Sequence, residues 1–186
     1  VNRCGCDRTV RAVVLTGAGD RAFCAGGDVA SFARDPETVD QLLKEVTGFL
    51  HMAISRLARM EVPGLGAVNG VAAGAGLGLA AACDLVIAAD NAAFTSAYTL
   101  IGLTPDGSAS YYLPRLIGHR RAMELFLTNR TLKAAEALEW GLINRVVPQA
   151  DLAAEVDKLA EQLANGPTQA YGGVKKLLLM SQNDSL

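Results

Sequence analysis

The sequence predicts an α/β fold with mostly parallel strands. Three observations carry that reading. Short β-rich runs alternate with helical stretches along the chain, as in β–α–β construction. Glycines gather where strands give way to helices, above all in "AFCAGGDV" (22–29) and "AVNGVAAGAGLGLA" (67–80). One long stretch, 37–60, repeats apolar residues at helical spacing.

The elements follow in order. "TVRAVVLTG" (9–17) is a β-rich run that ends on glycine, a buried strand. "AGDRAFCAGGDVASF" (18–32) reads as a loop with two glycine clusters. In 37–60, Leu42, Leu43, Val46, Phe49, Leu50, Ala53, Ile54 and Leu57 form one stripe, which predicts a long amphipathic helix. Pro63 and Gly64 stop it. "LGAVNG" (65–70) is a strand, and "GAGLGLAAAC" (74–83) a helix of small residues. "DLVIAAD" (84–90) is a second buried strand and "AAFTS" (92–96) a short third. "SASYYLPRLIG" (108–118), "RRAMELFLTN" (120–129) and "KAAEALEWG" (133–141) read as helices, and "INRVV" (143–147) as a strand. Helices over 151–166 and 168–180 close the chain. No internal repeat or low-complexity linker is visible, and residues 1–186 suit one domain.

Composition narrows the function classes. The chain is 51% hydrophobic and 19% charged, which points to surface buried between subunits. A net charge of −2 supplies no basic field, which argues against nucleic acid or an anionic membrane as partner. No apolar run is long enough and free enough of glycine to read as a spanning helix. The first residues, "VNRCGCDRTVRA", are polar and unlike a signal peptide, so the expected location is cytoplasmic. Cys4, Cys6, Cys24 and Cys83 match neither a disulfide framework nor a zinc pattern, so free thiols and no metal are expected.

The run 67–80 has almost no side chain that could do chemistry. It is not a dinucleotide fingerprint. Gly74, Gly76 and Gly78 are followed by Leu79, and Asp90 comes too early for the ribose contact. Nor is it a phosphate loop, since no Gly-Lys-Ser/Thr follows any glycine here. Two readings stand side by side. Small residues let backbones pack closely, or they let a ligand reach main-chain N–H groups at a strand-to-helix turn.

Four blocks carry a resemblance: "VRAVVLTGAGDRAFCAGGDV", "VPGLGAVNGVAAGAGLGLAAACDLVIAADNAAF", "IGLTPDGSASYYLPRLIG" and "RRAMELFLTNRTLKAAEALEWGLINRVVP". In this order they resemble the crotonase (enoyl-CoA hydratase/isomerase) superfamily over most of the chain. The resemblance implies a crotonase-like spiral of β–β–α units, here incomplete at both ends, with the C-terminal helices of 151–186 only partly present. It implies assembly as a homotrimer or a dimer of trimers. It implies an acyl-CoA thioester as substrate, coenzyme A being part of that substrate and no separate cofactor being needed. The thioester oxygen is then held by the main-chain N–H groups of Gly27 and Ala75. Gly26, Asp28, Val29, Ala30 and Gly74 flank those amides, and Tyr98 and Leu103 shape the acyl pocket. Cys24 and Trp140 are read as structural.

The resemblance also frames the reaction. Enoyl-CoA hydratases resemble this chain but carry glutamates where it has Gly78 and Tyr98. The acid in the right neighbourhood is Asp106 in "GLTPDGSAS", which by itself reads equally as a turn or a helix start. An aspartate at this place is shared with enoyl-CoA isomerases, where it shuttles a proton. It is also shared with 4-chlorobenzoyl-CoA dehalogenases, where it attacks an aromatic ring. The dehalogenase likeness extends to His51 on the long helix, as activator of water, but those enzymes have a tryptophan where this chain has Tyr98. The expected reaction is double-bond isomerisation through an enolate, with Asp106 as proton carrier if partial burial lifts its pKa. Hydration, hydrolytic dehalogenation and acyl-CoA binding without catalysis are the alternatives.

Overall fold

The computed structural model describes residues 1–29 and 38–181. Among the described residues, eight strands form two four-stranded sheets. The first holds β1 (Val13–Thr16), β3 (Gly64–Val68), β5 (Leu85–Ala89) and β8 (Arg145–Val147), in that order. The second holds β2 (Ala22–Cys24), β4 (Val71–Ala73), β6 (Ala93–Thr95) and β7 (Leu132–Lys133). Successive pairs, β1 with β2, β3 with β4 and β5 with β6, each place one strand in each sheet. The chain therefore winds as stacked turns. Every pairing is parallel except β6 with β7. The repeat is topological, which is why no sequence repeat accompanies it.

Helices close the turns. After α1 (Asn2–Cys6), the long α2 (Val39–Arg59) supplies the crossover that parallel pairing of β1 with β3 demands. Next come α3 (Ala75–Ala81), α4 (Ala109–Ile117), α5 (His119–Thr128), α6 (Ala134–Glu139), α7 (Leu152–Ala164) and α8 (Thr168–Met180). A core of Phe23, Val68, Leu77, Phe94, Leu113 and Leu125 fills the space between the sheets and α3–α5. Cys24 and Trp140 are partly buried against that core, as expected of structural residues. Trp140 also lies under the guanidiniums of Arg121 and Arg130.

Three expectations need correction. The loop predicted over 18–32 contains β2, and "VAA" after Asn69 is a separate strand, β4. Strands of three residues are too short to show alternation. The stripe on α2 is also not uniformly buried. Ile54 and Leu57 enter the core, whereas Val46 and Phe49, in the first half of α2, remain exposed.

The C-terminal helix is tied down by one ammonium. Lys175 Nζ donates to Leu57 O (2.9 Å), Val62 O (3.1 Å) and Asp84 Oδ2 (2.7 Å). The Asp84 carboxylate also accepts the Gly64 N–H at 2.7 Å, so α8, α2 and the start of β3 share one polar node. All four cysteines are free thiols. Burial pushes the Cys83 pKa up to about 12. Among the described residues, no helix is long and apolar enough to cross a membrane.

Candidate active site

The site begins with a pair of neighbouring strands. β2 and β4 run parallel, with Ala22 opposite Val71 and Cys24 opposite Ala72. The segments that leave them, 25–29 and 74–76, therefore emerge side by side. They touch: a Cβ added at Gly26 would lie 3.1 Å from Ala73 O and 3.8 Å from Ala75 N. Further along α3 the approach is tighter still. A Cβ at Gly76 would collide with the carbonyl of Cys24, and one at Gly78 with the carbonyl of Gly107. Close packing and open main-chain amides thus coexist in the glycine run, at different positions.

Ala75 is the first residue of α3, so its N–H has no intrahelical acceptor. The Gly74 carbonyl is taken by the N–H groups of Leu77 and Gly78. Among the described residues, neither Gly27 nor Ala75 donates to a backbone carbonyl. Both residues line one cavity of about 270 Å³. Leu43, Val46, Thr47 and Leu50 of α2 form its opposite wall, and Tyr98, Leu100, Ile101 and Leu103 close one side. Asp106 contributes the carboxylate. The Thr47 hydroxyl is committed to Leu43 O at 2.6 Å, so among the described residues amides and one acid dominate the polar chemistry of a mostly apolar chamber.

Tyr98 sits behind Asp106. Its hydroxyl is buried and meets no hydrogen-bond partner in acceptable geometry among the described residues. Burial, and then the nearby Asp106 carboxylate, push its pKa up, so the phenol is neutral. The residue before it, Ala97, has φ +57°, and Ser108 on the far side of Asp106 has φ +63°. Both are left-handed non-glycine positions, a costly backbone that persists where surrounding structure fixes it.

Asp106 opens the turn into α4. Its carbonyl accepts the Ala109 N–H at 2.9 Å. Its Oδ2 lies 4.0 Å from His51 Nε2, and that nitrogen accepts the Gly107 N–H at 3.3 Å. Both side chains are partly open to solvent, 37% for Asp106 and 51% for His51.

Most of the expected residues therefore meet. Gly26, Gly27, Val29, Gly74, Ala75, Tyr98, Leu103 and Asp106 line the cavity. Asp28 is exposed and does not line it. His51 does not line it either; it stands behind the Asp106–Gly107 turn. Ala30 lies outside the described residues. The α2 wall was the part the sequence left open. The stripe on 37–60 gave the right face, and only the tertiary position of the helix shows that its first half borders a cavity. Two larger clefts, of about 440 and 720 Å³, lie elsewhere and lack the paired amides. Among the described residues, no cluster of three or more His, Cys, Asp or Glu could hold a metal.

Known proteins share this architecture. The family model for enoyl-CoA hydratase/isomerase matches residues 1–185. A 4-chlorobenzoyl coenzyme A dehalogenase from Arthrobacter sp. is 44% identical over 181 residues, covering 97% of this chain and 65% of the dehalogenase. The chain thus spans just under two thirds of that relative. The 1,2-epoxyphenylacetyl-CoA isomerase of Escherichia coli (strain K12) is 42% identical over 181 residues, covering 97% of this chain and 69% of the isomerase. The crystal structure of an enoyl-CoA hydratase from Bacillus anthracis superposes with a TM-score of 0.92 at 32% identity, covering 99% of this chain and 70% of that one. With its stacked β–β–α turns and its cavity between α2 and two adjoining glycine loops, the chain belongs to the enoyl-CoA hydratase/isomerase (crotonase) family of enzymes.

Proposed function

We propose that this chain binds an acyl-CoA thioester with its carbonyl oxygen between the Gly27 and Ala75 amides, and moves a carbon–carbon double bond by proton transfer through Asp106. The observation that carries the reading is that, among the described residues, one carboxylate, Asp106, faces an apolar cavity whose other wall is two glycine loops. Asp106 takes a proton from the acyl chain. The C–H electron pair flows through the conjugated carbons onto the thioester oxygen, giving a dienolate. Collapse of the dienolate takes the same proton back two carbons away. One acid suffices, because nothing is consumed. The two amides stabilise charge as it develops; in oxyanion holes of this kind one donor lowers the barrier by about 3–4 kcal/mol.

A second carboxylate on α3 has no room here, since a Cβ at Gly78 would already collide with Gly107 O. With a neutral phenol at Tyr98, that disfavours hydration by a pair of acids. Hydrolytic dehalogenation is the second reading. It is favoured by the 4.0 Å approach of His51 to Asp106 and by the likeness to the Arthrobacter dehalogenase. There Asp106 would attack the ring carbon, halide would leave, and water would cleave the resulting ester.

The location and the assembly are part of the same proposal. A cytoplasmic homotrimer, or a dimer of trimers, fits the exposed apolar side chains on α8, where Val174, Leu177 and Leu178 face outward. The test of the reaction is exchange of acyl protons in heavy water, run on a panel of enoyl-CoAs. Exchange that vanishes in Asp106→Asn supports isomerisation. Halide release from a 4-halobenzoyl-CoA, with no exchange on any enoyl-CoA, would replace it by the second reading. Thioester binding without either reaction would leave only an acyl-CoA binder.

A further inference from the structure

His51 bears a lone pair that the structure has already assigned. Gly107 and Ser108 are consecutive left-handed residues, φ +54° and +63°, immediately after the candidate acid. Ser108 opens α4 without a side-chain cap, so the turn does not secure itself in the way a capped helix start does. Beyond the bond from the Ala109 N–H to the Asp106 carbonyl within the turn, its restraints come from outside. The Gly107 carbonyl packs over the bare Cα of Gly78, and the Gly107 N–H donates to His51 Nε2 at 3.3 Å, a contact that spans 56 positions of sequence. An Nε2 that accepts a hydrogen bond is unprotonated, so the neutral ring carries its proton on Nδ1. The 4.0 Å to Asp106 Oδ2 is too long for a hydrogen bond, and this tautomer has no proton on Nε2 to offer. His51 is also absent from the cavity wall.

We infer that His51 is a positioning residue, whose Nε2 accepts the Gly107 N–H and so holds the Asp106–Ser108 turn with the Asp106 carboxylate facing the cavity. A lone pair pointed at an amide is not free to take a proton from water, which separates this role from that of a general base. The inference deepens the isomerase reading and rests on Asp106 being the proton carrier. It converts the histidine from a chemical participant into an acceptor that another neutral acceptor can replace.

Two variants and two readouts test it. His51→Gln keeps a neutral acceptor of similar reach, and His51→Ala removes it. The side chain is half exposed, so both variants fold, which thermal melting confirms. The first readout is kcat and KM for acyl-proton exchange in heavy water. His51→Ala lowers kcat several-fold to about tenfold with KM little changed, the scale of one lost hydrogen bond. His51→Gln stays within about threefold of the unaltered protein. The second readout is hydrogen exchange of the Gly107 amide by NMR, which needs no substrate. Protection falls in His51→Ala and is retained in His51→Gln. A His51→Gln variant as slow as His51→Ala, with Gly107 still protected, identifies a proton carrier and overturns the inference. Wild-type kcat and Gly107 protection in His51→Ala overturn it as well. If no thioester exchanges in the unaltered protein, the isomerase reading fails by itself, and the Gly107 amide still decides whether His51 holds the turn.

Discussion

Replacing Gly78 by alanine sets a gain in helix propensity against a collision. In the interior of an unconstrained helix, glycine to alanine stabilises by about 0.5–1 kcal/mol. Gly48 on α2 offers that control, because a Cβ there meets nothing within 4 Å. At Gly78 the new Cβ strikes Gly107 O and comes within 3.3 Å of the Gly107 carbonyl carbon and 3.5 Å of Ala109 N. These are backbone atoms, so no side-chain rotation relieves the contact. Overpacking of this kind costs about 1–3 kcal/mol, and more when the backbone must shift. Taking about 3 and subtracting the propensity gain leaves Gly78→Ala destabilised by about 2 kcal/mol. For a chain of 186 residues that lowers Tm by about 4–8 °C. Gly48→Ala should gain about 0.5–1 kcal/mol in the same urea titration. The displaced Gly107 adjoins Asp106, so acyl-proton exchange should also fall, by about 100-fold if the carboxylate moves by about 1 Å. A Gly78→Ala protein as stable as Gly48→Ala, with undiminished exchange, would show that α3 does not pack on the Asp106 turn as described.

Other perturbations reach other parts of the account. Lys175→Met leaves the Asp84 carboxylate with the Gly64 N–H but no counter-charge and frees two carbonyls, and should cost about 2–3 kcal/mol in chemical denaturation; the figure is reduced from that of a fully buried pair because Asp84 is 27% exposed. A loss below about 0.5 kcal/mol would mean the node does not anchor α8. Cys83, with its pKa raised to about 12, is about one part in ten thousand thiolate at pH 8 and should resist iodoacetamide while exposed Cys6 is labelled. Equal labelling by mass spectrometry would contradict the raised pKa of this half-buried thiol. Tyr98→Phe removes a buried hydroxyl that has no partner among the described residues, so the free protein should be unchanged or more stable by up to about 1 kcal/mol. A clear loss of stability would reveal a hydrogen bond at that hydroxyl.

The legibility of this chain divides by range along the sequence. The glycine loops at 26–27 and 74–78 could be read directly, because bare backbone at a strand-to-helix junction is a local property. Strands β2, β4 and β7 could not: two or three residues carry no period, and unlike the equally short β6 and β8 they are set within glycine-rich or helix-like runs rather than β-rich ones. On α2 one stripe holds both Leu57, fully buried in the core, and Val46 on the cavity wall, and periodicity gives a face without saying what it faces. Asp106 stood out only beside the family resemblance, since Pro-Asp-Gly is an ordinary turn by itself. The His51–Gly107 bond and the Lys175–Asp84 node join residues 56 and 91 positions apart, and no local pattern encodes either. The structure also explains a departure that sequence alone could only record. A side chain at position 78, such as the glutamate expected of hydratases, is incompatible with the place Gly107 occupies here.

The central claim is that two main-chain amides share one thioester oxygen, and Ala75→Pro addresses it most directly. Proline is tolerated at the first position of a helix and differs there chiefly in lacking the N–H. Circular dichroism and acyl-CoA affinity establish that the variant is folded and loaded; heavy-water exchange then reads the chemistry. A fall in kcat of about 10²–10³, with the thioester still bound, is the expected result. Exchange at the rate of the unaltered protein would mean that the Ala75 amide holds no developing charge, and the proposed enolate chemistry would fall with it.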